Sequence, residues 1–86
     1  MNNMKRVTIN INNNKLVLCI SYDVVVAITN YTTNKDYIVD KYQHHSRSTS
    51  KHLNEFFGMD SKEREKAIGS SRIMVIPDSN LNHILR

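Results

Sequence analysis

Residues 7–28 read VTININNNKLVLCISYDVVVAI, and the fold is decided there. Val7, Ile9 and Ile11 alternate with Thr8, Asn10 and Asn12, the period-two pattern of a strand with one buried face. Asn13-Asn14 suits a tight hairpin, because asparagine tolerates positive φ better than other non-glycine residues. The return strand is then residues 16–20. Ser21-Tyr22-Asp23 interrupts the apolar run, and residues 24–28 resume it with β-branched side chains that suit a pleated surface. A polar turn over residues 31–36 leads into a short fourth strand at Tyr37-Ile38-Val39.

The reading is an antiparallel meander of about four strands, apolar on both faces of the second and third. Something must cover the second face, and helices are the available cover. The second half of the chain supplies them. Leu53, Phe56 and Phe57 share one helical stripe, with Ser50 as N-cap and Gly58 as the stop. Asp60 and Glu63 form a capping box that opens a second short helix over residues 61–68, ended by Gly69. Residues 72–76 read as a fifth strand stopped by Pro77, and Asp78 caps a terminal helix with Leu81, Ile84 and Leu85 on its apolar side. The sequence thus predicts an α+β domain: a meander of four to five strands covered by two or three short helices. No internal repeat or composition shift marks a second domain within residues 1–86, and residues 1–4 are expected to fray.

An 86-residue chain with 40% hydrophobic and 23% charged residues can build one modest core. The single cysteine, Cys19, cannot close an internal disulfide, and no leader-like run opens the chain, so a reducing cytoplasm is the expected compartment. The longest apolar runs, residues 16–20 and 24–28, fall far below the roughly 20 residues a membrane helix needs, so no membrane partner is expected. Net charge is +4, which favours anionic partners without specifying one.

Between Asp40 and Glu55 no acidic side chain occurs, while Lys41, Arg47 and Lys51 are cationic and His44, His45 and His52 lie among them. Ser46, Ser48, Thr49 and Ser50 fall in the same window, just before a helix start whose free amides favour an anion. Three readings stand side by side: a solvated loop whose hydroxyls cap the helix, a phosphate-contacting segment of a nucleic-acid module, and a protein interface. Zinc is not expected, because His44 and His45 are adjacent and no metal-ligand spacing occurs. Cys19 reads as a small buried hydrophobe. Glycine-rich phosphate loops, nucleophile elbows and H-E-x-x-H motifs are absent, so neither catalytic residues nor a cofactor are expected and the chain does not read as an enzyme. Lys62-Glu63-Arg64-Glu65-Lys66 reads as a solvent-facing helix surface. Tyr22, Tyr31, Tyr37 and Tyr42 divide between interface use and ordinary sheet packing.

Ser21-Tyr22, Val25-Val26-Ala27, Tyr37-Ile38-Val39, Ser46 and Thr49-Ser50-Lys51-His52-Leu53-Asn54 resemble a group of small bacteriophage and prophage proteins. That group has an S-Y…V-A strand pair and an S-x-x-T-[small]-[Lys/Arg]-H-[Ile/Leu]-N helix start, and the likeness spans residues 16–57. It departs from the group at His45, where an aromatic residue is usual. The resemblance implies an accessory phage gene acting in the infected bacterial cell as a host-directed binding factor or inhibitor. It also implies Thr49, Lys51, His52 and Asn54 as interface candidates. With Lys41, Tyr42, Arg47 and Ser48 from the basic window, these form the expected binding surface. The expected partner is a bacterial host protein, with nucleic acid as the alternative.

Overall fold

A computed structural model describes residues 3–43 and 46–80. Where the expected terminal helix begins, Asp78–Asn80 forms a short 3-10 turn; the rest of that helix, with Leu81, Ile84 and Leu85, lies outside the described residues, as do His44 and His45. The strands are β1 (Met4–Ile11), β2 (Asn14–Ser21), β3 (Val24–Asn30), β4 (Lys35–Val39) and β5 (Ile73–Ile76), side by side in sequence order. Two helices, α1 (Arg47–Phe57) and α2 (Ser61–Gly69), lie between β4 and β5, and a single 3-10 turn (Asp40–Tyr42) links β4 toward α1. The chain is therefore an α+β protein with a mostly antiparallel, mixed five-stranded sheet.

Turn chemistry sets the register of the first three strands. Asn12 and Asn13 have φ of 50° and 66°, so Ile11 pairs with Asn14 across a two-residue turn of the kind that matches strand twist. The turn sits one residue earlier than the sequence predicts, because Asn14 joins the ladder. Tyr22 and Asp23, at φ 48° and 66°, close the second hairpin the same way, pairing Ser21 with Val24. The Tyr22 amide also donates to Asn3 O at 3.1 Å, which anchors the start of β1. Met4 is accordingly a buried strand residue, where fraying to Lys5 was expected. A bulge follows Cys19: Cys19 faces Ala27 while Ile20 faces Val25, so Val26 has no residue opposite.

The fifth strand is parallel to β4, with Ile38 opposite Val75, so the sheet is not a pure meander. Parallel neighbours need a crossover connection, and α1 with α2 forms it. One consequence is that both helices lie on the same sheet face. There Met4, Cys19, Val26, Ile38 and Ile73 pack with Leu53 and Ala67, and Phe56 and Phe57 are half-buried against this core. The opposite face carries a separate cluster of Leu16, Leu18 and Ile28, flanked by Ile9, Ile20, Val25 and Tyr37.

The helix starts follow from short-range hydrogen bonds. Ser46 is extended (φ −159°, ψ 166°) and its Oγ accepts from Thr49 N at 3.1 Å, so it is the N-cap of α1. Ser50, the expected cap, lies one turn inside, donating its amide to Ser46 O. Gly58 ends α1 at φ 66°, a left-handed conformation that glycine adopts without a Cβ penalty. Asp60 and Glu63 form the expected reciprocal capping box of α2. Among the described residues no helix is long and apolar enough to cross a membrane.

Candidate functional site

The eight residues expected at the binding surface do not share one face. Arg47, Ser48 and Lys51 are exposed on α1, and Lys41 is exposed in the turn after β4, with its ammonium 5.7 Å from the Tyr42 ring. Tyr42 is half-buried against the core. Thr49 and His52 point inward and are 3% and 8% exposed. Asn54 is half-buried between the two helices. The alternation of a 3.6-residue period explains the split: 49, 52 and 53 follow the sheet-facing stripe, while 47, 51 and 54 follow a stripe turned toward α2.

His52 is fixed by a hydrogen bond of 2.7 Å between its Nδ1 and Ser21 Oγ, across the seam between β2 and α1. Tyr22, in the turn beside them, brings its ring to 5.5 Å from the imidazole. A serine bonded to a histidine is half of a nucleophile–base pair, but the reaction also needs an orienting group and oxyanion donors. Here both members are buried and hold the helix to the sheet. Cys19 is fully buried, and burial pushes its thiol up to about 12, with Arg6 opposing and Glu55 adding to the shift. Among the described residues no three His, Cys, Asp or Glu side chains gather as a metal would require.

Two concave features flank α1. The first is a cavity of about 190 Å³ where the β2–β3 turn meets the N-terminus of α1. Val24 and Val26 make its apolar wall, and Ser21, Tyr42, Ser46 and Thr49 bring hydroxyls to it. At its edge stand Tyr22 and Val24, 51% and 39% exposed. Tyr22 is held in place although a bulky residue rarely takes φ of 48°. Hydrogen bonds from Ser48 and then Asn3 hold its phenol below the ordinary tyrosine value. The second feature is an open groove of about 510 Å³ between α1 and α2, lined by Arg47, Ser50, Lys51, Asn54 and Ser61.

Beneath that groove lies Arg64, 3% exposed, which corrects the expectation that residues 62–66 are all solvent-facing. Its Nη1 donates to Ser50 O (2.9 Å) and Asn54 Oδ1, and its Nη2 to Ser50 Oγ (2.9 Å) and, at 3.5 Å, to Gln43 O. All four acceptors are neutral oxygens. Burial pushes the guanidinium below its ordinary value and Glu65 offsets part of that shift. Sequence reasoning missed Arg64 because its neighbours Lys62, Glu63, Glu65 and Lys66 are indeed exposed. The signal for it is Ala67, three positions on along the same stripe of a helix otherwise polar. Tyr22, which the sequence leaves between interface use and sheet packing, is exposed because of the turn it occupies.

Fold and site together define a small α+β protein with two concave features beside α1. The chain belongs to a family of unknown function, DUF8033, whose profile matches residues 1–73. No curated protein and no solved structure matches it significantly.

Proposed function

We propose that this is a non-enzymatic, phage-encoded binding protein that acts on a bacterial host protein in the infected cell, docking through the β2–β3 turn and the first half of α1. The observation that carries the reading is the 190 Å³ cavity with exposed Tyr22 and Val24 at its edge. An apolar pocket with hydroxyls in its wall and an aromatic residue beside it has the anatomy of an interface anchor point, where a few residues supply most of the affinity. Held in a left-handed turn with its ring 5.5 Å from the fixed imidazole of His52, Tyr22 is pre-organised, which lowers the entropy lost on binding. The resemblance of residues 16–57 to phage proteins supports the origin, and Lys41, Arg47 and Ser48 add charged and polar contacts around the same helix start.

The test uses Tyr22→Asn, because asparagine adopts positive φ readily and should preserve the hairpin. Tagged full-length protein is incubated with host lysate, with and without nuclease. The expected result is a host protein captured equally in both, its affinity reduced about 30-fold or more by Tyr22→Asn, which corresponds to a contact of about 2 kcal/mol. Capture abolished by nuclease supports the nucleic-acid alternative instead. Capture unchanged in Tyr22→Asn removes the cavity from the interface.

A further inference from the structure

The α1–α2 groove is rich in donors, with two cations and two hydroxyls in its lining. Arg64 donates to Ser50 Oγ and to Asn54 Oδ1, which fixes the Asn54 amide with Nδ2 turned toward Ser61, where it donates to Ser61 Oγ at 3.0 Å. Each serine oxygen thus accepts a bond from within the protein and keeps its own hydrogen to give. The buried cation polarises this chain outward. Arg47 and Lys51 stand above it at positions i and i+4 on one helix face, their Cβ atoms roughly 6 Å apart. Among the described residues that line the groove none is acidic and none is aromatic.

From this we infer that the groove takes an acidic segment of the protein partner, with two carboxylates on one side of that segment meeting Arg47 and Lys51. The inference rests on the docking function proposed above and names the chemistry of the second contact. Carboxylates one helical turn apart, or two residues apart on an extended segment, lie on one side of the segment as Arg47 and Lys51 lie on one side of α1. A nucleic acid fits less well: two lining cations neutralise only two phosphates, and no aromatic face in the groove stacks a base.

The experiment measures binding of labelled 12-residue peptides to the full chain at low and moderate salt. One carries two glutamates at i and i+4 in an alanine background, a second has glutamines in their place, and a 12-mer of thymidylate is the polyanion control. The glutamate peptide should bind at least 10-fold tighter than the glutamine peptide and weaken with salt. Arg47→Gln with Lys51→Gln should lose at least 10-fold, while Lys62→Gln with Lys66→Gln on the exposed side of α2 should change affinity less than 2-fold. Each variant's melting temperature is measured alongside. Equal binding of the two peptides, equal loss in the α2 control, or tighter binding of thymidylate through Arg47 and Lys51 overturns the inference. Host-protein capture lost in Tyr22→Asn but kept in the Arg47 and Lys51 variant also overturns it, while leaving the proposed function standing. Capture independent of both sites would remove both surfaces from the interface, whereas no specific capture at all would remove the proposed function itself.

Discussion

Replacing Arg64 by methionine separates the tertiary role of this residue from the surface role its sequence context suggests. Methionine keeps an unbranched stem in the space between the helices and deletes the donors. Three well-formed hydrogen bonds from a charged group are lost, to Ser50 O, Ser50 Oγ and Asn54 Oδ1, with a fourth at 3.5 Å contributing little. Such bonds are worth about 1.5–3 kcal/mol each at most. Two effects reduce the sum: Ser50 and Asn54 are half-buried and can turn to water, and a buried charge no longer has to be desolvated. A net loss of about 2–4 kcal/mol remains, which in a domain of this size lowers Tm by roughly 8–32 °C. Arg64→Lys should recover part of it, since a point charge cannot span acceptors on both sides as a guanidinium fork does. Lys66→Met on the exposed side of the same helix should stay within about 0.5 kcal/mol of the parent. Circular-dichroism melts and urea titrations read all three. If Arg64→Met melts with Lys66→Met, the hydrogen bonds contribute no net stability and the account of Arg64 as the tie between α1 and α2 is wrong.

Cys19 should resist a thiol reagent in the native state at pH 8 and react quickly only after denaturation; fast native labelling would contradict its burial. Because burial raises the folded thiol from 9.0 to about 12, its contribution to stability is fully present below pH 9 and is lost as pH rises from there toward 12, which urea titrations across that range would detect. For the Ser21–His52 pair, Ser21→Ala strands a buried imidazole nitrogen and should cost about 1–3 kcal/mol. A double-mutant cycle with His52→Phe should give a coupling of about 0.5–3 kcal/mol, and a coupling near zero would mean the two side chains hold the seam independently.

Local signals carried much of the architecture. The alternation in β1, the β-branched run in β3, the asparagines near the first hairpin, Gly58, and the Asp60–Glu63 box each act over two to five residues, so they are legible without knowing the fold. Boundaries were less so. Ser46 and Ser50 are both plausible caps one turn apart, and the choice fell to Ser46 because its backbone is extended there and its Oγ reaches Thr49 N. The stretch over residues 41–54 was recognisable by its charge, yet its residues part company in the structure: Thr49 and His52 turn inward while Arg47, Ser48 and Lys51 remain outside.

What the sequence determined by itself, then, is the order and kind of the five strands and of α1 and α2, the α+β class, the burial of Cys19, and an unusually basic window over residues 41–54. Tertiary structure decided the rest. Parallel pairing of β5 with β4 put both helices on one sheet face, and only that placement buries Arg64 under the groove and sets Ser21 against His52, 31 positions away in the chain. Periodicity reports which side of an element is apolar, but it carries no information about which polar side chain on a neighbouring element will satisfy it. Those pairings arise from contacts distant in sequence, and the cavity beside Tyr22 and the groove above Arg64 exist only where two such elements meet.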